Sequence, residues 1–231
     1  MKLEIGAPPG GTPNSLAGRI AIIRERVADV ARGTGRDPSS LVLVGVTKAH
    51  PREMVVAAIE AGLTDVAENY VVEARAKYVD LPPVRKHFVG RVQSNKAKAI
   101  VELFDVVQSV DRLESGRALS RAARTLGKRI SVLVQINISS TDRFGISPED
   151  APTLAARLRE DEGLDVDGVM AIGPLTSDRA ATLRAFRRAA QAFERVGGTK
   201  LSLGMSGDWE DAIRCGSTML RIGTAIFGAR A

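Results

Sequence analysis

Apolar and polar positions in this chain switch repeatedly between two periods. Leu16, Ile20, Ile23, Val27 and Val30 recur at helical spacing, behind an Asn14 or Ser15 cap and ahead of Gly33, which predicts an opening helix. Residues 41–46 then form a continuous apolar run too short for a helix, the pattern of a strand buried on both faces. Pro51 starts the next helix, whose Met54, Val55, Ala58 and Ile59 point inward until Gly62. The same change of period predicts strands over 64–67, 87–90, 105–109, 130–138, 166–172, 200–203 and 218–222. Helices are predicted between them: over 70–79, about 95–103, from a capping-box pair at Asp111 and Glu114 to Gly127, and from Ser147-Pro148 to about Arg159. Leu183, Phe186, Ala190 and Phe193 mark a long amphipathic helix that ends at Gly197-Gly198, and a shorter one surrounds 209–214.

Eight strands alternating with helices, with one helix ahead of the first strand, predict an α/β fold: a single (β/α)8 TIM barrel with an extra N-terminal helix. At 231 residues it is a small example of that fold. The architectural alternative is an open doubly wound sheet, but no Gly-x-Gly-x-x-Gly follows the first strand. Residues 1–13, rich in Gly and Pro and without an apolar signal core, read as a flexible tail, and 14–231 as the barrel domain.

Composition narrows the partners. No apolar run approaches the ~20 residues of a membrane span, so no membrane association is expected. One cysteine, Cys215, excludes an intramolecular disulfide and fits a cytoplasmic location; its helical setting reads as packing. A net charge of +6 and a pI of 9.8 raise the question of nucleic acid. The cations are scattered among acids on helix faces, however, and aromatics make up only 4% of the chain, so there is no basic-aromatic platform for bases. The positive field instead favours an anionic small ligand.

A barrel gathers its C-terminal strand ends at one mouth. In chain order these ends are Lys48, Asn69, 87–93, Asn137, Met170, Ser206 and 221–224. Lys48 ends an apolar strand; burial of its stem would lower the amine's pKa, as a Schiff-base lysine requires, whereas the plainer alternative is a snorkelling strand-end lysine. Arg221-Ile222-Gly223-Thr224 turns from a strand into backbone amides and a hydroxyl. Leu203-Gly204-Met205-Ser206-Gly207-Asp208 is a second strand-to-loop junction with small residues. Two such loops either converge on one phosphate or are ordinary turns. A lysine amine, a phosphate cradle and an arginine facing one cavity are together what pyridoxal 5′-phosphate (PLP) requires. His50 reads as a turn or cap residue and His87 as a strand residue near the pocket. No acidic third member accompanies them, so neither a metal site nor a triad is expected.

Beyond single motifs, Val44-Gly45-Val46-Thr47-Lys48, Glu68-Asn69-Tyr70-Val71-Val72-Glu73, the run from His87 to Lys96, Val134-Gln135-Ile136-Asn137-Ile138, Gly168-Val169-Met170-Ala171-Ile172 and Leu203-Gly204-Met205-Ser206 through Phe227-Gly228-Ala229-Arg230 occur in one order. In this the chain resembles the pyridoxal phosphate homeostasis proteins, which share the alanine-racemase-like barrel of fold-type III PLP proteins. The resemblance implies that Lys48 forms the internal aldimine, that Ser206, Gly223 and Thr224 hold the phosphate, and that Arg221 faces the pyridine nitrogen. Asn69, His87 and Met170 would line the ring's surroundings. Ala67, Lys86 and Trp209 depart from the family pattern, where Gly, Trp and Met are usual; the last two bear on pocket lining. A guanidinium beside the ring nitrogen disfavours its protonation and weakens the ring as an electron sink.

The implied function is PLP homeostasis, with the cofactor buffered and delivered to apo-enzymes and little or no catalysis. The alternative is a PLP-dependent racemase of the alanine-racemase type. Related racemases take a second base, a tyrosine, from an added C-terminal domain of a second subunit, whereas this sequence ends at Ala231. Its two tyrosines read as helix packing (Tyr70) and as remote from the mouth (Tyr78). A lone barrel without that domain implies a monomer.

Overall fold

The computed structural model describes residues 12, 14–139 and 143–229; apart from Thr12, the tail expected over 1–13 lies outside them. Alternating periods have produced alternating elements: α1 (Leu16–Gly33), β1 (Val42–Val46), α2 (Arg52–Glu60), β2 (Asp65–Glu68), α3 (Val71–Lys77), β3 (Arg85–Phe88), α4 (Ala97–Leu103), β4 (Val106–Val110) and α5 (Leu113–Leu126). They continue with β5 (Ser131–Ile136), α6 (Ala151–Glu160), β6 (Asp165–Ala171), α7 (Arg179–Val196), β7 (Lys200–Ser202), α8 (Trp209–Arg214), β8 (Met219–Ile222) and a short α9 (Thr224–Phe227). All strand pairs are parallel, and β8 returns to β1 through Val42↔Met219 to Gly45↔Ile222, closing the barrel in sequence order.

Alternation along each strand sorts the side chains into two compartments. Outward residues such as Val66, Phe88, Val107, Val132, Leu201 and Leu220 meet the helix layer in one continuous core. Inward, Val44, Ala67 and Met219 form a small apolar plug. The departure at Ala67 therefore belongs to the barrel's interior packing. Helix α1 starts where Ser15 Oγ accepts the Gly18 N–H at 3.1 Å, and it is tied to α9 by Arg19 Nε donating to the Ile226 carbonyl at 2.6 Å.

Three local expectations are corrected. The third strand covers Arg85–Phe88 instead of 87–90, because the chain leaves the sheet towards Gly90. Gly90 sits against β2, and a Cβ there would run into the Asn69 carbonyl oxygen. Gly90→Ala is therefore expected to cost about 2–3 kcal/mol, read as a lower denaturant midpoint at unchanged slope. The capping box at Asp111 does not form: Arg112, in extended conformation, is the N-cap without a side-chain bond, and Asp111 pairs with its guanidinium at 3.3 Å. Ser147-Pro148 precedes α6 without belonging to it; Ser147 Oγ and Asp150 close a turn first.

Candidate functional site

Register alone assembles the mouth. Gly45 pairs with Ile222 and Val46 with Ala67, so the chain just beyond β1, at Lys48, lies between Asn69 on one side and Gly223-Thr224 on the other. Ser202 pairs with Met219, which brings Ser206 beside Gly223, and the Ala225 N–H reaches Ser206 Oγ at 3.5 Å. Short α9 starts at this point, so its first N–H groups, the Thr224 hydroxyl and the Ser206 hydroxyl share one exposed corner. The His50 ring, buried, stacks on Phe227 at 5.2 Å and ties the lysine turn to α9; it is Pro51 that caps α2.

Arg221 is 4% exposed and points into the barrel. Its Nη1 donates to the Ser202 carbonyl at 2.8 Å and to Ser202 Oγ at 2.6 Å, and its Nη2 donates to the Ala171 carbonyl at 2.9 Å. Among the described residues Nε has no acceptor. Burial pulls this guanidinium down to about 10, offset in part by Asp208, so it is charged at neutral pH. Met170 lies beside it, buried on β6 and paired with Ser202. His87 sits lower than expected. It pairs with Ala67, one interior layer beneath Asn69, and is fully buried with Nε2 at 2.8 Å from Asp65 and Nδ1 at 2.9 Å from Gln108. Asn137 stands across the mouth, where a cavity of about 610 Å³ is also lined by Arg143, Phe144, Ile172 and Leu175.

A cluster that the sequence reading missed lies behind Lys48. Glu68 faces away from the barrel axis and is fully buried; its Oε2 is 2.5 Å from Lys77 Nζ, and its Oε1 accepts the Asn69 N–H at 2.7 Å. Lys77 also donates to the Thr47 carbonyl at 2.7 Å and to Glu73 at 3.0 Å, while Glu73 accepts the Ala49 N–H at 3.0 Å. The peptides before and after Lys48 are thus held by one ion cluster. The Ala49 N–H, more than Lys77, keeps the Glu73 carboxyl below its ordinary range. Ala49 itself is left-handed at φ 59°, a strain of roughly 1 kcal/mol that this clamp sustains. Lys48 is half-buried in the turn.

One tyrosine expectation changes, and the other gains a contact. Tyr78 is buried with its hydroxyl 2.9 Å from Thr47 Oγ1, directly behind the lysine turn, and burial drives its pKa far above the usual phenol value. Tyr70, expected to pack, is 59% exposed, because it is the extended residue ahead of α3. The other two departures differ in place: Trp209 lines a cavity with Ser206 and Asp208 beside the phosphate corner, whereas Lys86 lies off the mouth. Trp209 is buried with Arg26 of α1 at 5.3 Å from its ring centroid, and Lys86 alternates with His87 and so faces outward.

The residues present fit PLP. Asn69 Oδ1 is buried without a hydrogen-bond partner, an orphan acceptor at the mouth; both Nη atoms of Arg221 are engaged, and its Nε makes no hydrogen bond among the described residues. Between them stand a lysine turn and, at the ends of β7 and β8, a corner of hydroxyls and N–H groups suited to a phosphate.

Known proteins match this arrangement. The family model for the alanine racemase N-terminal domain matches residues 21–231. The pyridoxal phosphate homeostasis protein of Pseudomonas aeruginosa is 40% identical over 222 residues, covering 94% of this chain and 96% of that protein. Its namesake in Escherichia coli K12 is 37% identical over 231 residues, covering 94% and 97%. Among solved structures, PipY of Synechococcus elongatus PCC7942 with PLP bound superposes with a TM-score of 0.82 at 32% identity, over 93% of this chain and 100% of that one.

Proposed function

The chain belongs to the pyridoxal phosphate homeostasis family, and on that footing we propose how its own residues bind PLP and what they do with it. It is a PLP-binding protein of cofactor homeostasis. Lys48 is the amine that holds the cofactor's aldehyde; Ser206, Thr224 and the N–H groups following Gly223 hold the phosphate. Arg221 Nε donates to the ring nitrogen, with Asn69 and Met170 beside the ring and His87 one layer below. The observation that carries this is the buried, unpartnered Asn69 Oδ1 at the end of the barrel where a lysine turn, a phosphate corner and the inward guanidinium of Arg221 come together.

When bound, PLP supplies an aldehyde that a lysine can hold covalently and a ring that withdraws electrons. The protein's residues restrain the second property. A guanidinium that stays charged beside the ring nitrogen keeps a proton off it, which favours storage over turnover. We therefore read the protein as a monomeric, cytoplasmic store that passes PLP to apo-forms of PLP-dependent enzymes. An apo-enzyme mixed with the loaded protein is expected to gain activity faster than with free PLP at the same free concentration. In parallel, single amino acids incubated in D2O with the loaded protein are expected to show no α-deuteration; steady exchange with inversion would establish a racemase instead.

The phosphate corner has its own test. Ser206 and Thr224 are exposed, and Thr224 makes no side-chain hydrogen bond among the described residues, so Ser206→Ala and Thr224→Val are expected to shift stability by no more than about 0.5 kcal/mol. Each loses a hydrogen bond to a charged group and is expected to weaken PLP binding by roughly ten- to a hundredfold, measured by titration. Unchanged affinity in the double variant would place the phosphate elsewhere.

A further inference from the structure

A line of buried hydrogen bonds leads from Arg221 down the barrel interior. Arg221 Nη1 donates to Ser202 Oγ at 2.6 Å, and Ser202 Oγ is 2.7 Å from Gln108 Oε1. Gln108 Nε2 is 2.9 Å from His87 Nδ1, and His87 Nε2 is 2.8 Å from Asp65 Oδ1. Asp65 Oδ2 accepts from Thr64 Oγ1 at 2.8 Å, and both residues border a cavity of about 470 Å³ at the opposite end of the barrel. The line draws on β8, β7, β4, β3 and β2 in turn. Ser202, Gln108 and His87 are all fully buried.

Donor capacity fixes its direction. A guanidinium can only donate, so Ser202 Oγ accepts from Arg221 and its single proton goes to Gln108 Oε1. An amide nitrogen can only donate, so His87 Nδ1 accepts, and the imidazole proton sits on Nε2 facing Asp65. Every bond therefore donates the same way, from a buried cation to a carboxylate at the far end. Aligned bonds of this kind polarise one another in a low-dielectric interior. Burial works to raise the Asp65 carboxyl, but the bonds from His87 and Thr64 outweigh it and hold it below its ordinary range. Barrel interiors of this fold are usually filled by branched apolar side chains, and a purely space-filling role would not require one-way polarity.

We propose that Ser202, Gln108, His87 and Asp65 are positioning residues for Arg221. The chain holds the Nη1 edge of the guanidinium towards the barrel floor and is anchored at its far end on the Asp65 carboxylate, which leaves Nε aimed at the PLP ring nitrogen. Asp208 is the acid whose charge acts on Arg221 directly. The proposal rests on the reading that Arg221 faces that nitrogen.

Two readouts test it. In the PLP-free protein, 15N NMR of the two histidines, with His50→Gln assigning them, is expected to show His87 protonated on Nε2 and slow to exchange. Protonation on Nδ1 would overturn the direction and the proposal with it. In the loaded protein, Gln108→Leu breaks the chain, whereas Asp65→Asn keeps an acceptor for His87 and removes only the charge. Gln108→Leu is expected to displace the absorption maximum of the bound cofactor in the same direction as Arg221→Gln and to weaken PLP about tenfold; Asp65→Asn is expected to do so in smaller measure. Should Gln108→Leu fail to fold, Ser202→Ala removes the first link, leaves Arg221 its bond to the Ser202 carbonyl, and is read the same way. A broken chain with wild-type absorption and affinity, while Arg221→Gln moves both, overturns the positioning role and leaves the Arg221 reading intact. If Arg221→Gln itself moves neither, the underlying reading falls and the positioning role falls with it.

Discussion

Lys48→Ala is expected to abolish the visible absorption of the PLP-bound protein and the borohydride-fixed pyridoxyl adduct, while the barrel stays folded. The lysine side chain is half-buried in a turn, and the clamp around it grips the Thr47 carbonyl and the Ala49 N–H, backbone groups that alanine retains. The stability change is thus expected within about 1 kcal/mol, seen as a nearly unshifted thermal midpoint. PLP would still be drawn to the phosphate corner and to Arg221, so weak non-covalent binding survives without the coloured linkage. Peptide mapping of the reduced wild-type protein is the sharpest form of the experiment. Modification at Lys48 alone is the expected result, and an adduct at Lys77 or any other lysine instead would undo the site.

The two kinds of polar residue in this fold explain what was legible in the sequence. Lys48, Ser206, Arg221 and the Gly223-Thr224 step stand where a strand pattern stops, and a barrel sends every such stop to the same mouth. Gln108 and Ser202 interrupt apolar strands from within, and nothing in a single strand says that an inward polar side chain will meet another from across the barrel. That meeting depends on register: Ser202 pairs with Met219, whose sulfur receives the same Gln108 amide at 3.2 Å. A strand starting at His87 would put that residue near the mouth; the strand starts two residues earlier, at Arg85, and this lowers His87 by one interior layer. Tyr78 lies off the mouth, in the helix layer, and its contact with the lysine turn is equally invisible in sequence. Helical spacing places it at the end of α3, and nothing in that spacing shows that its hydroxyl meets Thr47 across the helix layer.

Tyr78's neighbour Lys77, buried against Glu68 and the Thr47 carbonyl, is the residue outside the mouth whose loss should be felt most. Lys77→Met removes the partner of a fully buried Glu68 carboxylate and would cost about 3–5 kcal/mol, the usual penalty for leaving one member of a buried pair uncompensated. The backbone N–H of Asn69 and the Thr47 hydroxyl still face Glu68, which puts the expectation at the lower end, a fall in thermal midpoint of roughly 10 °C. Adding Glu68→Gln to Lys77→Met removes the stranded charge and should return most of that stability. It does not restore the second task of Lys77, which is to hold the Thr47 carbonyl and to steady Glu73 on the Ala49 N–H. Without that grip the strained Ala49 turn is free to relax, and the lysine amine is no longer presented in one place. The double variant is therefore expected to be stable yet slow and weak in capturing PLP. Glu68→Gln alone should show the reverse, since Lys77 keeps its bonds to Thr47 and Glu73. Thermal melts beside PLP capture rates separate the two effects. A double variant that captures PLP at the wild-type rate would mean that the ion cluster serves the fold and not the lysine.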